Sequence, residues 1–311
     1  MEFITILIAV AVEQYYKDVD RYRQFGWFVS YCDWMQQKST ALIPAGSSAS
    51  GPVRLLILLT PLVVVVAFVD GIFAGMGSFF SFIFSLAILI YSLGPKDLTT
   101  QVEKYLASLS SGDTEGALLH ANAFFTGHCF EPEISGSPAT IAGIMKRGIL
   151  LAFSNRILAV LFWFIILGPV GALLYRLTIL LLERFAGGSF GACPDGDESD
   201  SEFKSAIQRL YMILGWVPAR LCVITFALAG SFADTLLCWT CASDFFNKNN
   251  DELIVASGLH ALKMDVEPDN ETETDSAADV TGVEQVLALV KWSLIIVITV
   301  IALMTIVGWI Y

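Results

Sequence analysis

The sequence LFWFIILGPVGALLYRL occupies residues 161–177 and indicates the architecture of the whole chain. It lies within a run from Ile157 to Leu182 that contains a single charge, Arg176. At about 1.5 Å per residue, a helix of that length crosses the roughly 30 Å hydrocarbon core of a bilayer with some tilt. The sequence therefore predicts a membrane-spanning helix at this place.

The same helix carries a predicted interruption near its middle. Pro169 lacks a backbone donor, and Gly168 and Gly171 let another backbone approach closely. Arg176 follows two turns later. Because a charge is costly at membrane depth, an ionisable side chain there indicates a functional position.

A second apolar run has a similar design around the sequence Gly215-Trp216-Val217-Pro218-Ala219-Arg220. Pro218 predicts that a helix begins or is interrupted there. Arg220 then lies just inside the apolar run that continues to Ala233. The chain thus has two arginines that each follow a proline in an apolar helix.

The composition sets the class of the protein. Hydrophobic residues make up 55% of the 311 residues and charged residues only 15%, against about 25% charged in soluble domains. The mean hydropathy is +0.66. These values predict an all-α, polytopic integral membrane helical bundle with broken helices. The lipid bilayer is therefore the expected environment. The net charge of −12 disfavours a nucleic-acid partner.

Four to six spans are predicted. Arg54 to Leu93 is too long for one span and must form a hairpin, with the turn at Asp70-Gly71 and the Gly75–Gly77 cluster. Asp70 is then either solvated or a partner for an intramembrane arginine. The apolar run from Phe3 to Val12 is short for a span unless its helix continues through Glu13, which is either an interfacial charge or a pocket carboxylate.

Three polar segments interrupt the apolar runs. Residues 95–147 predict a small cytoplasmic helical hairpin, broken at Ser111-Gly112-Asp113 with Asp113 near the N-cap of its second helix. Glu183 to Lys204 predicts a solvated loop. Asp244 to Glu284 is polar, and a mobile acidic loop is predicted at about residues 265–280.

No metal site is predicted. His128, Cys129 and Glu131 gather in one loop, but no second His/Cys pair follows at ligand spacing. Cys238 and Cys241 have the spacing of a redox pair, yet no βαβ pattern surrounds them, which favours cysteines at the membrane interface.

Two interpretations of the arginines stay open. In the first, each arginine reaches an interface or pairs with a carboxylate such as Glu13, Asp70 or Asp234 and stabilises the bundle. In the second, both guanidinium groups and the helix N-termini at the breaks line a polar cavity that binds a phosphate or carboxylate. The candidate ligand-binding residues are Arg176, Arg220, Glu13, Gly168, Pro169, Gly171, Tyr175, Trp216 and Pro218.

Five stretches resemble the AmpE family of membrane proteins. They extend over nearly the whole chain, and the more specific are the 161–176 stretch and Trp216-Val217-Pro218-Ala219-Arg220-Leu221; the others are residues 12–16, 112–117 and 300–306. The resemblance implies one domain over residues 1–311 in the bacterial inner membrane. It also implies a regulatory or signalling role in β-lactamase induction and cell-wall recycling, with a muropeptide-like ligand or a regulatory protein as partner.

The related CobD/CbiB family, which looks like an amide-forming ligase of cobalamin biosynthesis, is the alternative. Its members follow the Tyr-Arg signature with a polar run, whereas Tyr175-Arg176 is followed here by Leu177-Thr178-Ile179-Leu180. Gly127-His128-Cys129 stands where that family has Arg-Asp. No Walker-type phosphate loop occurs. We therefore expect no cofactor and favour a non-enzymatic role over a CobD/CbiB-like ligase.

Overall fold

A computed structural model describes residues 2–15, 26–42, 50–93, 98–125, 138–185, 198–235, 249–264 and 276–307. Within these ranges all regular secondary structure is helical. The principal helices are α1 (Glu2–Tyr15), α2 (Gly26–Leu42), α3 (Ser50–Met76), α4 (Ser78–Ser92), α5 (Leu98–Ser110), α6 (Thr114–Phe125), α7 (Pro138–Ala152), a π-helical segment (Phe153–Leu158), α8 (Ala159–Phe185), α9 (Glu198–Ala229), α10 (Asn250–Ala261) and α11 (Ser276–Ile306). The predicted all-α fold is confirmed.

Four helical stretches of the described residues are long and apolar enough to cross a membrane: Gly51–Met76, Thr140–Phe185, Glu202–Ala229 and Val280–Ile306. Two shorter apolar helices, Phe3–Val12 and Ser78–Ser92, accompany them. This agrees with the prediction of four to six spans.

The chain divides into two compact units. The first contains residues 1–96, 160–214 and 310–311, and the second contains residues 97–159 and 215–309. The organisation of residues 1–311 as one domain stays a prediction.

In the first unit, α3 and α4 form the predicted hairpin, and the Phe73 and Phe84 rings stack at 5.2 Å. The turn lies at Gly77, whose φ of 122° is readily accessible to glycine. The turn does not include Asp70-Gly71, because α3 continues as a helix to Met76. Asp70 is therefore a half-exposed residue within α3.

The core of the first unit is formed by apolar side chains of α2, α3, α8 and α9. Phe28 and Cys32 of α2, Leu58 of α3, Leu177 of α8 and Ile207 of α9 are all buried in it. The Tyr31 hydroxyl adds a polar connection, since it donates to the Leu58 carbonyl at 3.0 Å. This packing buries the half of α8 that carries Arg176.

In the second unit, α5 and α6 form the predicted helical hairpin. Asp113 caps α6 as expected: its carboxylate oxygen accepts from the Gly116 N–H at 2.9 Å, and its carbonyl accepts from Ala117 at 3.0 Å. The hairpin shares a core with α7, α9, α10 and α11. Lys291 of α11 also pairs with Glu103 of α5 at 3.7 Å.

Part of the polar segment 244–284 has a structure that the sequence did not predict. Helix α10 is buried along nearly its whole length, from Asn250 through Leu259 to Ala261. It lies beside the second half of α9: its start adjoins Gly215, and its end contacts Gly230. A short buried helix thus packs against a spanning helix.

Several predicted features lie wholly or partly outside the described residues. They are the His128–Cys129–Glu131 loop, most of the 183–204 loop, the Cys238–Cys241 pair and residues 265–275 of the acidic tract. Residues 276–280 of that tract form the first turns of α11, so the predicted loop was wrong there. The predicted 183–204 loop was wrong at both ends, because residues 183–185 belong to α8 and residues 198–204 to α9.

Candidate functional site

The interruption in α8 lies at Gly168, as predicted. Its φ of 64° and ψ of −152° form a backbone conformation that is nearly restricted to glycine. Pro169 follows and begins the second half of the helix, a position where its missing N–H costs no hydrogen bond. A Cβ on Gly171 would lie 2.4 Å from the Trp163 carbonyl oxygen. Gly171 therefore lets the second half of α8 pack against the end of the first.

Arg176 lies on the second half of α8 and is only 2% exposed. Tyr175 beside it is also buried. The guanidinium group interacts electrostatically with Tyr91 of α4. The Tyr91 hydroxyl in turn accepts a hydrogen bond of 2.7 Å from the Trp27 indole of α2. The first unit thus places a buried cation near an aromatic hydroxyl and an indole donor.

Pro218 does not interrupt α9, contrary to the prediction, because the helix runs from Glu198 to Ala229. A proline cannot donate to the carbonyl four residues earlier, which here belongs to Leu214. The Trp163 indole N–H of α8 donates to that carbonyl at 3.1 Å. The side chain replaces the missing helical donor, which explains why α9 tolerates a proline at this position.

Arg220 is 7% exposed and belongs to the second unit. Its guanidinium carbon lies 4.5 Å from the centre of the Trp216 ring. Its Nη1 donates to the Trp216 carbonyl at 3.0 Å and to the side-chain oxygen of Asn250 at 2.5 Å. A Cβ on Gly215 would lie 3.2 Å from the nitrogen of the same amide. Arg220 therefore fixes the first residue of α10 against α9.

The predicted carboxylate partners of the arginines lie in different places. Glu13 is in α1, near its C-terminal end. Asp234 follows α9 and pairs with Lys263 at 3.4 Å, and it also accepts a hydrogen bond from Ser231. The Ser231 hydroxyl, followed by Lys263, holds the pKa of Asp234 below its usual value.

The sequence reasoning missed a polar patch in the second unit. Ser154, Asn155 and Arg156 are buried in the π-helical segment, and such segments occur frequently at functional sites. Ser154 forms a side-chain hydrogen bond with Cys222 of α9. The sequence signal that could have revealed this patch is the polar pair Asn155-Arg156 inside an apolar run. The role of Asn250 as the partner of Arg220 could not be recognised in the sequence, because it depends on where α10 packs.

The predicted site residues fall into two groups. Those on α8 belong to the first unit, namely Gly168, Pro169, Gly171, Tyr175 and Arg176. Those on α9 belong to the second, namely Trp216, Pro218 and Arg220. A common cavity for the two arginines stays a prediction. Among the described residues, no group of three or more His, Cys, Asp or Glu side chains could hold a metal ion.

A family model described as "Regulatory signalling modulator protein AmpE" matches residues 1–311. The chain belongs to the AmpE family. The resemblance of the 161–176 stretch to this family is thereby confirmed.

Two curated relatives of this AmpE-family chain are described as "Cobalamin biosynthesis protein CobD". The one from Chromobacterium violaceum is 28% identical over 178 residues, which cover 57% of this chain and 53% of the relative. The one from Stutzerimonas stutzeri is 31% identical over 124 residues, which cover 39% of this chain and 38% of the relative. The chain therefore spans about half the length of these relatives or less. No solved structure matches.

Proposed function

We propose that this AmpE-family protein is a regulatory protein of the bacterial inner membrane, linked to β-lactamase induction and cell-wall recycling. The family match over residues 1–311 carries this proposal. Helices long enough to cross a membrane support the location, since four occur in the described residues. The candidate partners are a muropeptide-like ligand and a regulatory protein.

The proposed ligand is anionic, and Arg176 is the residue that binds it. A buried guanidinium group two turns after the interruption of α8 favours a phosphate or carboxylate, because both accept its hydrogen bonds in pairs. The Tyr91 hydroxyl, within the electrostatic reach of Arg176, is a further polar group for the same ligand. Ligand binding would then change the arrangement of the two halves of α8, which meet at Gly168.

The test is the replacement of Arg176 by alanine and by lysine in the chromosomal gene. We expect Arg176→Ala to reproduce the change in β-lactamase induction that deletion of the gene causes, and Arg176→Lys to retain part of the wild-type response. Membrane abundance and the apparent melting temperature are measured for each variant. Wild-type induction in a stable Arg176→Ala protein would contradict ligand binding at this residue.

A second candidate function is a membrane-embedded ligase, which the similarity to the CobD relatives favours. The test is complementation of a cobalamin auxotroph that lacks the ligase. Growth without added cobalamin would support the ligase and contradict a purely regulatory role. The apolar Leu177-Thr178-Ile179-Leu180 that follows Arg176 leads us to expect no growth.

A further inference from the structure

Arg54 lies in the first unit, in the first two turns of α3, and it has no role in the function proposed above. The residue is only 9% exposed, and its Nε is buried without a hydrogen-bond partner among the described residues. A buried donor without a partner costs about 1 to 3 kcal/mol, and more for a charged group. A group that accepts from this guanidinium is therefore expected in the functional protein.

Arg184, near the C-terminal end of α8, is a second arginine of the same unit whose side chain is largely covered. Its side chain is 9% exposed and pairs with Asp33 of α2. Its Nε and Nη1 are buried and have no hydrogen-bond partner in the part of the chain that the structure describes. Because Asp33 offsets part of the charge of Arg184, Arg54 supplies more of the net positive charge.

The two arginines lie at the same end of the first unit. A Cβ on Gly51, one turn before Arg54, would lie 2.5 Å from the backbone oxygen of Glu202 in α9. Phe203, the next residue of α9, packs edge-on against Phe185 at 5.0 Å. The beginning of α3, the beginning of α9 and the end of α8 therefore meet around Phe203.

We propose that Arg54 and Arg184 form a binding site for the phosphate of an anionic phospholipid. Arg54 lies near the beginning of the candidate span Gly51–Met76. The beginning of a span lies at the depth of the lipid headgroups. Anionic headgroups attract basic residues at this depth. The N-terminus of α3 adds a partial positive charge beside the same phosphate.

The surface next to Arg54 suits an acyl chain. Val53, Leu56 and Val64 are exposed on α3 at helical spacing, and Leu56 is 63% exposed. With the exposed Thr60 between Leu56 and Val64, they form a mainly apolar stripe that begins at the residue before Arg54 and continues along the span. A lipid whose phosphate binds Arg54 can lay its acyl chain along this stripe, whereas free phosphate makes no such contact. The structure therefore favours a lipid over an inorganic anion.

The test is native mass spectrometry of the full-length protein, titrated with phosphatidylglycerol, with phosphatidylcholine and with inorganic phosphate. We expect the tightest binding for phosphatidylglycerol. Loss of one charged hydrogen bond corresponds to a change in Kd of about tenfold or more, so Arg54→Gln and Arg184→Gln should each weaken this binding by about that factor. Arg209→Gln is the matched control, because Arg209 is exposed on α9 of the same unit.

Three results would overturn the proposal. The first is equal affinity for phosphatidylglycerol and phosphatidylcholine. The second is displacement of phosphatidylglycerol by millimolar inorganic phosphate, which would assign the site to a free anion. The third is an unchanged Kd in Arg54→Gln. Where Arg54→Gln does not fold, Arg54→Lys is measured instead; it keeps the charge but loses the planar fork of donors, so its Kd should rise severalfold.

Discussion

Replacement of Gly171 by alanine should destabilise the protein, and the structure gives the size of the effect. An added Cβ would lie 2.4 Å from the Trp163 carbonyl oxygen and 2.6 Å from the Leu167 Cβ. Both distances are about 1 Å shorter than ordinary contacts, and overpacking of this kind typically costs about 1 to 3 kcal/mol. The two atoms belong to the first half of α8, so they can move only if the interruption at Gly168 opens.

The matched control is Gly71→Ala in α3. Gly71 is also helical, but a Cβ there would meet nothing within 4 Å. Alanine in a helix is more stable than glycine by about 0.5 to 1 kcal/mol. The same chemical change should therefore have opposite signs at the two positions. This comparison cancels the general effect of Gly→Ala on the unfolded chain.

The assay is the apparent melting temperature of the purified protein in one detergent at one heating rate. For domains of about 150–250 residues, 1 kcal/mol shifts the melting temperature by about 2–4 °C, so Gly171→Ala should melt several degrees below wild type. Gly71→Ala should melt at or above the wild-type temperature. If Gly171→Ala were as stable as Gly71→Ala, the close approach of the two halves of α8 would be refuted.

Three further predictions concern hydrogen bonds and charge. Trp163→Phe removes the donor to the Leu214 carbonyl and should lower the unfolding free energy by about 1 kcal/mol, measured by urea unfolding in detergent. Asn250→Ala removes a charge-assisted bond from Arg220 and should cost about 1.5 to 3 kcal/mol in the same measurement. The lowered pKa of Asp234 contributes stability that is fully present above its unfolded pKa of about 3.9 and is lost as the pH falls through the lower folded pKa. The difference in melting temperature between wild type and Asp234→Asn should therefore shrink as the pH falls below about 4.

Features encoded by a few adjacent residues could be predicted from the sequence. The α5–α6 hairpin follows from an apolar helical pattern broken at Ser111-Gly112-Asp113, and Asp113 caps α6 as expected. The interruption of α8 follows from Gly168 and Pro169, since the proline cannot donate to the carbonyl four residues earlier and the glycine can adopt the positive φ of the break. In these places local conformational preference and the final structure agree.

Features that depend on distant contacts could not be predicted. Pro218 has the local signal of a break, but the Trp163 indole reaches the orphaned Leu214 carbonyl from another helix. Helix α10 contains the apolar run Leu253-Ile254-Val255-Ala256, but it is short and its flanks are polar, so the sequence does not tell which helices bury it. The π-helical segment likewise packs on α9 through the rings of Phe153 and Phe226. Tertiary packing decides each of these features.

The contacts of Arg220 affect how the cellular phenotype of its variants is interpreted. Arg220 holds Asn250 and stacks on Trp216, so Arg220→Ala would remove a structural contact together with any ligand contact. Asn250→Ala separates the two effects, because it breaks the contact to α10 and keeps the guanidinium group. If Arg220→Ala abolishes the cellular response while an equally destabilised Asn250→Ala preserves it, Arg220 acts on a ligand. If both abolish it, the attachment of α10 to α9 accounts for the requirement for Arg220.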